Sequence, residues 1–195
     1  MVSETPAIIR LRETHSTNRY LQEQLQTGHI PADETIVVTD FQTAGRGQTG
    51  NTWESEAGQN LTFSLLYHPA SLPANESFRI AQIAALSVKR TLERYVRDIT
   101  VKWPNDVYRK EQKICGILIE NFLFGKFIAH SILGIGLNIN QQIFRSDAPN
   151  PVSLAQITGK TYDRMTLLEA WHTEFRQLRA LLETGDVVAL HAEYL

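Results

Sequence analysis

A single cysteine, Cys115, in 195 residues excludes any internal disulfide. The chain therefore suits a reducing compartment, and a cytoplasmic location is expected. No uninterrupted apolar run approaches the roughly 18 residues that a membrane-spanning helix needs, so no membrane partner is expected. Met1-Val2-Ser3-Glu4 lacks the charged and apolar regions of a secretory leader. Positive charge is not in excess, since 19 basic against 21 acidic side chains leave a formal net charge of −2. That balance argues against a nucleic-acid coat or a polybasic membrane anchor, both of which need surplus cations. Of the six histidines, none has a second histidine or cysteine three or four residues on, and a structural zinc site is not expected. Internal repeats and low-complexity tracts are also missing.

What is present is an ordinary globular balance, 43% hydrophobic and 21% charged. The length suits one domain, at about 150 residues per domain, able to bury roughly 70% of its unfolded surface. Residues 8–12 form a β-branched run ahead of Ser16 and Thr17, either of which can cap a helix that Gly28 stops. Strands are expected over 34–41 and 61–67, separated by a polar stretch, 42–58, that holds four of the 11 glycines. The spacing of Ile80, Ile83, Ala84, Val88 and Leu92 predicts a helix over 78–96. Residues 99–138 are strand-rich, in pieces 99–103, 114–122 and 127–135, with Phe124-Gly125-Lys126 as a hairpin turn. Helical patterning returns from Thr166 through Trp171, Phe175 and Leu182, and a second helix covers 187–195. The expected fold is α+β, a mixed, largely antiparallel sheet backed by helices.

Gly45-Arg46-Gly47-Gln48-Thr49-Gly50 matches G-x-G-x-x-G, but a dinucleotide site needs a helix to begin there. A strand follows instead, which excludes that reading. Two remain: a flexible surface hairpin, or a flap whose bare backbone approaches an anion while Arg46 supplies charge. Lys102-Trp103-Pro104-Asn105-Asp106 joins a cation, an aromatic, a rigid turn and two polar groups, although a plain strand terminus would look the same. Lys113 opens an apolar strand that is bare at Gly116, and reads otherwise as a solvated strand start. Gly134-Ile135-Gly136-Leu137-Asn138-Ile139-Asn140 places two glycines inside a strand, where they are costly unless something approaches the backbone closely. Each signal alone is weak. Four in one chain point to a pocket.

Together these motifs resemble the bacterial biotin–protein ligases, also called biotin–[acetyl-CoA-carboxylase] ligases. The resemblance runs over residues 8–195 through Ser16-Thr17-Asn18, Gln42, Ala44-Gly45-Arg46-Gly47, Trp53, the 102–106 turn, Lys113 with Gly116 to Glu120, and 134–140. It implies a biotin/lipoate ligase catalytic domain, similar to class II aminoacyl-tRNA synthetases. The implied reaction joins biotin and MgATP into biotinyl-5′-AMP and pyrophosphate. A lysine of the biotin carboxyl carrier protein then displaces AMP.

By this resemblance the biotin site comprises Ser16, Thr17, Asn18, Gln42, Gly45, Arg46, Gly47, Gln48, Lys113, Gly116, Gly134 and Leu137. Hydroxyls of Ser16 and Thr17 suit the ureido group, while glycines let the backbone close over the rings. The ATP site comprises Arg46, Trp53, Lys102, Asn105, Asp106, Lys113 and Asn138, with Mg²⁺ carried mainly by the phosphates. Lys113, with Lys102 as the other candidate, bridges carboxylate and α-phosphate, and Arg46 lies beside it. Trp53 stacks on adenine, a contact worth about 1–3 kcal/mol per base. Asp106 accepts a proton from the acceptor lysine, whose unperturbed pKa of about 10.4 leaves it charged near neutrality. The catalytic set is thus Lys113, Arg46 and Asp106, and the 45–58 loop is a lid that excludes water.

Departures accompany the matches. Gln48 stands where many relatives carry a base, and Asn51 where a further one often lies. Cys115 reads as a small buried apolar side chain. The resemblance leads to the expectation of one catalytic domain over 1–195, with no winged helix-turn-helix before it and a small C-terminal β-barrel absent or truncated. A lipoate or octanoate ligase of the same fold, and a biotin-binding module without efficient transfer, stay open as alternatives. So does a homodimer through exposed strand edges.

Overall fold

Runs of β-branched and aromatic residues become seven strands in the computed structural model, which describes residues 6–145 and 150–194. They are β1 (Ile8–Thr14), β2 (Ile36–Gln42), β3 (Leu61–Tyr67), β4 (Ile99–Lys102), β5 (Asp106–Arg109), β6 (Gln112–Phe124) and β7 (Phe127–Leu137). One sheet holds all seven in the order β1-β2-β3-β7-β6-β5-β4. Only β1 and β2 run parallel, because the helix α1 (Thr17–Gln26) carries the chain back between them. The other pairings are antiparallel, as the α+β expectation requires. Gly125, at φ +60°, makes the tight turn of the β6–β7 hairpin. The residues read as lacking a leader, Met1 to Glu4, and Leu195, with which the helix expected over 187–195 ends, lie outside the described residues.

Four more helices complete the chain: α2 (Phe78–Glu93), α3 (Leu154–Thr158), α4 (Arg164–Thr184) and α5 (Val187–Tyr194). Two elements were not expected, β5 and α3. β5 is four residues long and follows Pro104, so its local signal is that of a turn. Pairing of Val107 with Val101 on one side and Cys115 on the other makes it a strand. α3 rests on a reciprocal capping box between Ser153 and Gln156 and ends at Gly159 in the left-handed region.

Strand periodicity divides the sheet into two chemistries. On one face Leu61, Phe63, Leu65 and Tyr67 of β3 join Leu133, Ile135 and Leu137 of β7 under α2 and α4. Phe63 meets the Trp171 ring edge-on at 4.6 Å, and Trp171 stacks on Phe175 at 5.4 Å. Cys115 is fully buried in this core, and burial pushes its thiol well above the ordinary value. On the other face a small cluster of Leu21, Val37, Leu66 and Ile132 seats α1. Beyond that cluster the face carries Thr62, Ser64, Gly116, Gly134 and Gly136 beside Leu118.

Ion pairs fasten the helices to this frame. Glu34 accepts from His172 Nε2 at 2.9 Å and from Arg179 Nη1 at 2.7 Å, tying the start of β2 to α4. Burial raises the Glu34 carboxyl, but these two hydrogen bonds outweigh it and hold the group below its usual value. At the other end, Arg90 of α2 grips Glu193 of α5, and Arg94 grips Glu174 of α4. Tyr194 Oη donates to the Pro104 carbonyl at 2.8 Å and so braces the 102–106 turn.

Candidate active site

Register builds the floor of the site. β3, β7 and β6 place Thr62, Gly136 and Gly116 in one row across the strands, and Ser64, Gly134 and Leu118 in the next. All point away from the large core. Side chains lie where missing Cβ atoms leave room: one added at Gly134 would collide with the Asn18 amide, and one at Gly116 or Gly136 with the Trp53 indole. The glycines are therefore matched to named neighbours, not simply flexible.

One end of the floor is polar and buried. The first turn of α1 puts Thr17 and Asn18 over it, both almost fully covered. Gln42 Oε1, at the end of β2, accepts from the Thr17 amide at 2.8 Å, satisfying a free helix-end N–H, and lies 3.2 Å from the Thr17 hydroxyl. Ser64 Oγ lies 2.7 Å from Thr17 Oγ1 and 2.5 Å from Asn18 Oδ1. Thr62 Oγ1, buried beside them, has no partner among the described residues. Each of these groups can turn to a ligand's amide or carbonyl.

The opposite end is charged. Lys113 Nζ donates to Asp106 Oδ2 at 2.7 Å. The Lys113 backbone is clamped between β5 and the segment at Asn150 and Val152, which fixes where its ammonium can reach. Arg46 lies in the 43–60 loop, whose sides are joined by the Arg46–Thr52 bridge and by Trp53 N–H donating to the Gly45 carbonyl at 3.0 Å. Its guanidinium meets Glu120 at 3.1 Å, and Glu120 also holds the Asn18 amide, so Arg46 sits toward the inner end and not beside Lys113 as the resemblance implies. Gln48 Nε2 donates to Asn105 Oδ1 at 2.8 Å and to the Ile117 carbonyl at 3.2 Å, holding the loop against β6.

A cavity of about 650 Å³ joins the two ends. Its wall includes Ser16, Thr17, Asn18 and Gln42 at the polar end, and Arg46, Gly47 and Gln48 from the loop. Trp53, Asp106, Lys113, Gly116 and Gly134 complete the expected residues found on it. Five others sit behind the wall. Gly45 is buried under Trp53, and Asn105 reaches the cavity through Gln48. Lys102 lies over the Tyr108 ring, 5.2 Å from its centroid. The Leu137 side chain points into the large core, because it follows Gly136 by one residue. Asn138 is buried, and its Oδ1 has no partner among the described residues.

Trp53 lies flat on the glycine floor, its Nε1 buried and without a partner among the described residues. Thr62, Ser64 and Tyr108 were not expected at the site, as they belong to no motif. Thr62 and Ser64 did carry a signal, being hydroxyls that alternate with Leu61, Phe63 and Leu65 in an otherwise apolar strand.

The arrangement can hold a ligand that is polar at both ends and apolar between them, and can neutralise negative charge at the outer end. Comparison with known proteins agrees. The model of the biotin/lipoate A/B protein ligase family matches residues 11–138. The bifunctional ligase/repressor BirA of Bacillus spizizenii is 32% identical over 160 residues, 79% of this chain and 48% of that protein. BirA of Escherichia coli is 32% identical over 184 residues, 92% of this chain and 54% of that protein. This chain thus spans about half the length of these two relatives. The biotin protein ligase of Aquifex aeolicus, solved in complex with biotin and ATP, superposes with a TM-score of 0.77 at 30% identity. That match covers 92% of this chain and 73% of the other. From its motifs, its sheet and these matches, the chain belongs to the biotin/lipoate A/B protein ligase family.

Proposed function

We infer that the chain activates biotin with ATP and passes it to a lysine of a biotin carboxyl carrier protein. One observation carries the reading: a buried hydroxyl–amide network and the Lys113–Asp106 pair lie at opposite ends of a glycine-floored cavity. Biotin has a ureido group, an apolar bicycle with a chain, and a carboxylate in that order. A fatty acyl chain would leave the buried Thr62 hydroxyl, which has no partner among the described residues, unsatisfied, at a cost of about 1–3 kcal/mol. Related structures solved with biotin and ATP or with biotinyl-5-AMP support the same chemistry.

In the first step a biotin carboxylate oxygen bonds to the α-phosphorus of ATP, and the bond to pyrophosphate breaks. Lys113 faces the charge that builds there, which is where fixed cations lower a barrier most, and Arg46 joins it on leaving Glu120. In the second step the acceptor amine bonds to the acyl carbon, AMP leaves, and Asp106 takes the proton released by nitrogen. Asp106 is also the carboxylate on the cavity wall suited to a hard cation. Mg²⁺ bound with ATP would supply further neutralisation of phosphate charge. The described residues share one sheet and serve as one catalytic domain, and a reducing cytoplasm suits its buried cysteine.

The test is mass spectrometry of acyl-adenylates after incubation with MgATP and, separately, biotin, lipoate and octanoate. Biotinyl-adenylate should dominate, and Lys113→Ala should lower it by at least about a hundredfold. Asp106→Asn should slow transfer to a carrier domain more than it slows adenylation. A preference for octanoate or lipoate would overturn the substrate, and biotin binding without any adenylate would leave a binding module.

A further inference from the structure

Glu120 is an acid inside an apolar strand, flanked by Leu118 and Ile119 on β6. Its carboxylate joins α1 to the 43–60 loop. Asn18 Nδ2 of α1 donates to Oε2 at 2.8 Å, and Arg46 Nη2 of the loop lies 3.1 Å from Oε2 and 3.2 Å from Oε1. A carboxylate only accepts, so it dictates which way the Asn18 amide faces. With Nδ2 held by Glu120 and the Leu118 carbonyl, Oδ1 must turn to Ser64. The Ser64 hydroxyl has one proton, and its shorter contact, 2.5 Å, is to that oxygen. Ser64 is then left to accept from Thr17, whose single hydroxyl proton turns from Gln42 Oε1 at 3.2 Å to the nearer Ser64 Oγ at 2.7 Å, and the donor sense of the network is set along its length.

We propose that Glu120 is a positioning residue that fixes both the hydrogen-bond polarity of the inner end and the place of Arg46. The inference deepens the biotin reading and rests on it for the ligand alone. A neutral amide at 120 presents a donor as well as an acceptor. Asn18 can then turn over, Ser64 can donate to Thr17, and Arg46 loses its counter-ion. No other carboxylate is paired with Arg46 among the described residues.

Glu120→Gln tests this in two arms. In the free protein, tryptic cleavage after Arg46, followed by peptide mass spectrometry, should run roughly fivefold faster than in wild type. Calorimetry should show biotin binding about tenfold weaker, and that loss should largely vanish in an Asn18→Ala background, since the two side chains act as a unit. Glu120→Asp, which keeps the charge on a shorter stem, should fall between the two. Glu23→Gln, which breaks an exposed helical pair with Arg19, should change neither quantity.

Unchanged cleavage and affinity in Glu120→Gln would overturn the proposal. So would uniform acceleration at every tryptic site, because that signals global loosening. Additive effects of Glu120→Gln and Asn18→Ala would overturn the polarity argument. The cleavage arm needs no ligand. If wild type failed to bind biotin while Arg46 was still exposed by Glu120→Gln, the substrate reading would fall and the positioning role of Glu120 would stand.

Discussion

The two faces of the sheet use alternate residues of the same strands and do opposite work. On β3, Leu61, Phe63, Leu65 and Tyr67 enter an aromatic and aliphatic core, while Thr62 and Ser64 between them line the site face. On β7, Leu133, Ile135 and Leu137 go to the core, and Gly134 and Gly136 to the other side. One face gains from size and close packing, the other from small residues and unspent hydrogen bonds. A shift of register by one residue would exchange them, so the large core fixes the geometry of the site without touching a ligand.

The contrast can be broken from either side. Phe63→Ala should have the largest effect, about 3–5 kcal/mol of stability by urea denaturation, since the ring sits against Trp171 in the packed core. Gly136→Ala should leave stability within about 1 kcal/mol of wild type, because the loop bearing Trp53 can lift, yet cut adenylate formation about a hundredfold. Glu34→Gln should cost about 2 kcal/mol near neutral pH, as His172 and Arg179 lose a buried partner. The Glu34 carboxyl is held below its ordinary 4.5, so its contribution is full above that pH and fades as pH falls through the lower folded value. The wild-type and Glu34→Gln curves should therefore converge in acid. Thr62→Val should have the smallest effect on folding. It removes a buried hydroxyl that has no partner among the described residues, raising stability by up to about 1 kcal/mol while weakening biotin binding.

Long elements with a clear period were legible in the chain. β3 lies where its apolar run predicts, and the 78–96 helix ends three residues earlier, at Glu93. β6 and β7 each extend two residues or so past their expected ends, because each completes the other's ladder. β5 was hidden because only its neighbours make it a strand. The site divides in the same way. Motifs mark residues whose type is unusual for their place, and so Gly134, Gly116, Lys113 and Arg46 stood out. Thr62 and Ser64 are ordinary strand residues, and only the pairing of β3 with β7 shows that they share a surface with the glycines. Leu137 shows the reverse, since it lies within a motif yet faces the core.

The sharpest test of the account is a crystal structure of the protein with biotin. The account predicts the ureido group within hydrogen-bond distance of Thr17 and Ser64, the bicycle over Gly116 and Gly136 in the place that Trp53 takes in the free protein, and the carboxylate directed at Lys113. Biotin bound in the opposite sense, with its carboxylate among the hydroxyls of α1 and β3, would contradict it.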